Sequence, residues 1–225
     1  MSQAVPRLKI TDDELGAFLL VVLGDVDEIR KLLEKDDRQV IRRSFIRVIF
    51  SGVEGVCFIL KQHCLDQAGK KRNLYTPAEM AVLREENYYL SSDGEVSIRP
   101  NYPSFEDNIK FTLRMFCREV PSAVLSFDGQ GWGDLKKAIQ VRHRITHPKR
   151  PEALKISNEE LRVASRAYVW FTRTVILNMA VLLHRLHDTI EDLVGKGLPQ
   201  EVDQQILKGV TAVREYLSQI EKRWR

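Results

Sequence analysis

Three times along this chain a Ser or Thr stands three residues ahead of a Glu, at the mouth of a run of helix formers: Thr11-x-x-Glu14, Thr76-Pro77-x-Glu79 and Ser157-x-x-Glu160. In such a capping box the hydroxyl accepts from the backbone N–H three residues on, and the carboxylate accepts from the first backbone N–H. Two of the donors that every helix leaves orphaned are then met by side chains. The patterning predicts helices near 12–35, 38–68, 76–88, 104–119, 134–146, 158–194 and 199–223. One interval breaks the rule. Ser92-Asp93-Gly94 separates Tyr88-Tyr89-Leu90 from the alternating Val96-Ser97-Ile98, which predicts a small β-hairpin within Tyr88–Arg99. Asp128-Gly129-Gln130-Gly131-Trp132-Gly133 is too rich in Gly for helix and is expected as an ordered loop, with Asp134 capping the helix that follows.

The 225 residues are expected to form a single helical domain. Three cysteines without a CxxC spacing argue against a disulfide framework and a structural zinc site, and they fit a reducing cytoplasm. Met1–Ile10 lacks the apolar core of a signal peptide. The greasiest stretches, Phe45–Leu60 and Ala167–Leu183, are interrupted by Arg47 and Glu54, and by Arg173 and Asn178. Both fall short of the roughly 20 uninterrupted apolar residues of a membrane span, so they are expected as buried helices and no membrane partner is expected.

Charge is distributed unevenly. The window Leu135–Pro151 holds Lys136, Lys137, Arg142, Arg144, Lys149 and Arg150 with His143 and His147, and no acid. The chain has 35 Lys+Arg against 31 Asp+Glu, and without those six the balance would be 29 against 31. The basic character is thus a local field, suited to a polyanion such as RNA, with Lys136, Lys137, Lys149 and Arg150 as candidate backbone contacts.

Within that window Arg142 and His147 stand five residues apart, about 140° around an ideal helix and hence on different faces. Pro148 changes the geometry. The residue before proline is pushed out of the α region, so the helix is expected to end near Thr146, freeing the imidazole to turn back toward the guanidinium. A His can take a proton from a ribose 2′-hydroxyl or give one to the leaving oxygen, and an Arg can hold the phosphate and stabilise the charge that builds there. The plainer alternative is a solvated basic helix end.

The segment Arg142-His143-Arg144-Ile145-Thr146-His147 resembles the signature of the HEPN family (higher eukaryotes and prokaryotes nucleotide-binding domains): Arg, a polar residue, three further residues, then His. The resemblance covers roughly residues 38–190. The layout is a long apolar helix at 38–68, an insertion at about 70–130, Trp132 leading into the motif helix, and the long helix 158–194, with helices 12–35 and 199–223 as additions. It implies an all-α, HEPN-like antiparallel helical bundle, usually a homodimer with two Arg–His pairs facing one cleft. It also implies a metal-independent endoribonuclease in a toxin, defence or RNA-processing role, with an antitoxin or other partner protein and no cofactor. Other members are inactive modules that bind RNA, nucleotide or protein. In one toxin subgroup a Tyr two residues past the His is modified; Lys149 stands there in this chain, which speaks against such control.

Arg142 and His147 are therefore the expected catalytic pair, with His143 and Arg144 helping to place substrate. Glu54, on a polar stripe with Arg43, Arg47 and Ser51, sits between Gly52 and Gly55, where a second backbone can approach. Its carboxylate is a candidate to orient Arg142, the alternative being a local network on its own helix. Cys57 and Cys64 read as small core residues, and the His184/His187 pair lacks further ligands for a metal. In 199–223 an apolar seam (Ile206, Val210, Val213, Leu217, Ile220, Trp224) suits packing on another helix.

Overall fold

Helix α1 (Asp12–Lys35) runs against α2 (Gln39–Lys70), and two glycines set how closely. A Cβ at Gly52 would come within 2.8 Å of Val22 Cγ1, and one at Gly55 within 2.6 Å of Phe18 Cζ. Rising numbers on one helix meet falling numbers on the other, so the pair is antiparallel. The close approach expected between Gly52 and Gly55 is thus made by α1. In the computed structural model, residues 12–71, 73–120, 123 and 125–194 are described, with only the backbone for 12–17, 19, 20 and 183–194. The expected helix 199–223, its seam, Thr11 and the side chains of His184 and His187 lie outside the described residues.

Elements follow the expected order: α1, α2, α3 (Pro77–Leu83), β1 (Glu86–Leu90), β2 (Val96–Pro100), α4 (Phe105–Arg118), α5 (Gln130–Thr146), a 3-10 turn Pro151–Leu154 and α6 (Asn158–Val194). Their contacts divide the chain into two compact units, Met1–Phe116 with Arg144–Lys155, and Cys117–His143 with Ile156–Arg225. Among the described residues no helix is long and apolar enough to cross a membrane.

In the first unit, α2 buries Phe45, Ile46, Ile49, Phe50, Val53, Val56, Cys57 and Leu60 along one side. Their spacing is that of a helix with one wide apolar stripe. Side chains of α4 meet this core: Phe105 packs edge-on against Phe50 at 5.5 Å between ring centroids, and Phe116 against His63 at 5.9 Å. Tyr75 donates to the carbonyl of Met115, 3.3 Å away. Both reciprocal bonds of the Thr76/Glu79 capping box form, and so do those of Ser157/Glu160 at the start of α6.

Helix α3 stops at Leu83 instead of running to 88, because Glu85 takes a left-handed backbone (φ 58°) and the chain turns into β1. A non-glycine residue there costs about 1–2 kcal/mol, and Glu85 is held by a side-chain bond to the buried Lys61 at 2.9 Å. The hairpin forms as expected, two residues longer at its start, with Leu90 opposite Val96, Tyr88 opposite Ile98 and Tyr89 opposite Ser97. Gly94, at φ 77°, supplies the left-handed residue that the turn needs. Directly opposed residues share a face, so Tyr88, Leu90, Val96 and Ile98 form one apolar face, and all four are exposed. On the other face Arg99 lies 3.8 Å over the Tyr89 ring.

The second unit corrects one expectation. The Gly-rich stretch is not loop up to 133: α5 begins at Gln130, so Gly131, Trp132 and Gly133 are helical and Asp134 lies inside the helix, buried, and not at its cap. The reason is tertiary. A Cβ at Gly131 would lie 2.1 Å from Trp170 Cδ1, so the glycine lets α5 sit directly on α6. Trp132, Trp170 and Phe127 cluster there, with Trp132–Trp170 and Phe127–Trp132 centroids 5.7 and 4.8 Å apart. Gly131 meeting Trp170 and Asp134 meeting Arg166 show α5 and α6 to be antiparallel.

Candidate functional site

The end of α5 falls where the proline rule puts it. Thr146 is its last residue, and His147 stands outside helical geometry in front of Pro148. Val141 and Ile145 are buried and anchor the last turns. Arg142 and Arg144 are half-buried, whereas His143, Thr146, His147, Pro148, Lys149 and Arg150 are exposed. Lys136 and Lys137, two to three turns earlier, are exposed as well. The unit boundary falls between His143 and Arg144, so Arg142, Lys136 and Lys137 belong to the second unit, and His147, Lys149 and Arg150 to the first.

Around His147 the first unit is tied down through backbone carbonyls. Helix ends leave their last carbonyls without intrahelical partners, and cationic donors suit them because the C-terminal end of the helix dipole is negative. Arg47 of α2 donates to the Ile145 carbonyl at 3.4 Å. Arg43, one turn earlier, donates to the Leu154 carbonyl at 3.2 Å. Arg144 directs one terminal nitrogen to the carbonyls of Ala153 and Lys155, both at 2.9 Å. The polar stripe of α2 is thereby explained in part: Arg47 serves the last turn of the motif helix and Arg43 the segment after it. Ser51 and Glu54 are exposed farther along α2.

Two polar pairings emerge only in three dimensions. Lys61 is 1% exposed in the middle of an apolar helix and bonds Glu85. Asp134 accepts from Arg166 Nε at 2.7 Å and from Gln130 at 3.0 Å. The hydrogen bond from Arg166 holds the Asp134 carboxyl below its ordinary range, against the opposing effect of burial. The partners stand 32 positions apart, so no local spacing announces them. Cys57 and Cys64 are free and buried, as expected for core residues, and Cys117 is too; burial pushes the Cys57 thiol up to about 12 and the Cys117 thiol up to about 11. Such thiols are protonated at neutral pH and make poor nucleophiles or ligands. Among the described residues no group of three or more His, Cys, Asp or Glu side chains is placed to hold a metal ion.

Searches against protein-family models, curated proteins and solved structures find nothing that matches this chain.

Proposed function

We propose that this chain is a metal-independent endoribonuclease of the HEPN type, acting as a homodimer on RNA. The observation that carries the reading is the exposed His147 at the exit of α5, beside exposed Lys149 and Arg150 on a segment without acids. In this reading His147 exchanges the proton and Arg142 stabilises the phosphate. The ribose 2′-oxygen attacks phosphorus, the bond to the 5′-oxygen breaks, and the 2′-hydroxyl proton passes to a base while the leaving oxygen receives one from an acid. The products are a 2′,3′-cyclic phosphate and a free 5′-hydroxyl. Two copies would supply a second His147 for the complementary proton transfer. His143 adds to substrate placement, as do Lys136, Lys137, Lys149 and Arg150 through the RNA backbone. An antitoxin or other partner protein would restrain the activity.

The deciding experiment is cleavage of a mixed-sequence, single-stranded RNA in EDTA. His147→Ala and Arg142→Ala should each lower the rate by about 100-fold or more, the scale of such groups. Sedimentation should give about twice the 26.0 kDa chain mass for the wild-type protein and both variants. Cleavage that needs a metal and ignores His147→Ala would overturn the mechanism. A folded protein that binds RNA and leaves it intact would replace the nuclease by the non-catalytic, binding-module reading.

A further inference from the structure

His147 lies between two helix ends, and arginines meet the carbonyls of both. The partners are Ile145 in the last turn of α5, and Ala153, Leu154 and Lys155 at and just after the 3-10 turn. The donors come from two places in the chain, Arg43 and Arg47 one turn apart on α2, and Arg144 from the motif itself. We infer that Arg43, Arg47 and Arg144 are positioning residues that clamp the backbone on either side of His147 and so fix the direction in which its imidazole is presented. This rests on the reading of His147 as the proton-transferring group.

Three observations converge on the clamp. First, the bonds are long-range: Arg43 and Arg47 reach 111 and 98 positions along the chain, so they hold a tertiary path and not a helix surface. Second, Arg144 spans 9 and 11 positions and closes the loop on itself, tying the last turn of α5 to the 3-10 turn and the residue after it. Third, Pro148 and Pro151 fix φ at two positions between the clamped carbonyls, leaving the loop few soft dihedrals. Arg144 therefore supports the site through the loop backbone, and the exposed cations on this loop are Lys149, Arg150 and Lys155. Positioning matters because proton transfer needs the imidazole within hydrogen-bond reach, and a displacement of about 1 Å lowers a rate by about 100-fold.

The test uses the full chain with Arg47→Met, Arg144→Met, Arg47→Lys and Arg144→Lys. Methionine keeps the apolar stem and removes the donor; lysine restores a charged donor of similar reach. Hydrogen exchange of the amides between 147 and 155 is read on the free protein. Cleavage of an end-labelled, mixed-sequence single-stranded RNA is read across a salt series. The Met variants should exchange faster across 147–155, lose about 10- to 100-fold in kcat and keep KM and the salt dependence of RNA binding, with the Lys variants recovering part of both losses. A phosphate contact gives the opposite pattern: KM rises and the salt slope falls by about one per arginine. That pattern, or unchanged exchange across 147–155, overturns the clamp. Exchange decides the clamp even if the wild-type protein cleaves nothing, an outcome that removes the nuclease reading alone.

Discussion

Asp134 Oδ2 lies 2.7 Å from Arg166 Nε between α5 and α6, and the partners meet solvent very differently: the Asp134 side chain is 1% exposed and that of Arg166 is 48% exposed. The asymmetry gives an ordered prediction. Arg166→Met strands a buried carboxylate with Gln130 as its remaining donor, at the low end of the roughly 3–5 kcal/mol range for breaking a buried pair, because Arg166 is half in water. Asp134→Asn leaves a guanidinium that water and Glu159 still solvate, a loss of about 1 kcal/mol. Urea unfolding of the two variants measures the difference. Equal losses, or a larger one for Asp134→Asn, would contradict the assignment.

The same pair sets an acid limb. Because Arg166 lowers the folded-state pKa of Asp134, the stabilisation is complete above the unfolded carboxylate value of about 3.9 and is lost as pH falls through the folded value. Wild-type stability should therefore drop more steeply than that of Asp134→Asn below about pH 4. Parallel stability–pH curves for the two proteins would rule the linkage out.

Two glycines two positions apart should respond with opposite signs. Alanine is favoured over glycine in a helix by about 1 kcal/mol. At Gly133, where an added Cβ meets nothing within 4 Å, that gain should appear as a higher Tm. At Gly131 the Cβ would fall 2.1 Å from Trp170 Cδ1 and 2.2 Å from Cγ, ring atoms that cannot swing aside alone. Overpacking of that kind costs about 1–3 kcal/mol and should outweigh the propensity gain, lowering Tm. Thermal melts of Gly131→Ala and Gly133→Ala that move together would refute the close approach.

Lys61 and Glu85 offer a rescue experiment. Glu85→Gln leaves the ammonium of a 1% exposed Lys61 without its carboxylate, a loss of about 3 kcal/mol. Lys61→Met removes the charge and keeps the volume, while Glu85, 38% exposed, remains hydrated; the cost should stay near 1 kcal/mol. The double variant should then be more stable than Glu85→Gln alone, by chemical denaturation. Additive losses in the double variant would show that the two residues are not coupled.

For RNA, the exposed Lys136, Lys137 and Lys149 should carry backbone contacts, so binding by the wild-type chain should weaken steeply with salt. Changing all three to Gln should flatten the salt dependence by up to about three in slope while helix content is retained. An unchanged slope would place the RNA path elsewhere or remove RNA from the account.

Whatever is settled within a few residues was legible in the chain's own pattern. The hydroxyl of Ser157 and the carboxylate of Glu160 meet across one turn, Pro148 excludes His147 from helix, and Gly94 supplies the one left-handed turn residue of the hairpin. Those interactions are short-range, so their spacing is legible, and the end of α1, the boundaries of α2 and α4, the end of α5 and the start of α6 follow. The rest depends on partners far apart along the chain. Gly131 favours a loop on propensity, yet it is helical because its missing side chain admits Trp170, a partner 39 positions away whose identity no local pattern encodes. Arg43 and Arg47 read as part of a polar stripe and Arg144 as a substrate contact, and they become a clamp only when the carbonyls of 145–155 fold back beside them. Local bonds fix where a helix starts and stops; which helix end meets which arginine depends on burying the apolar stripes of the whole chain at once.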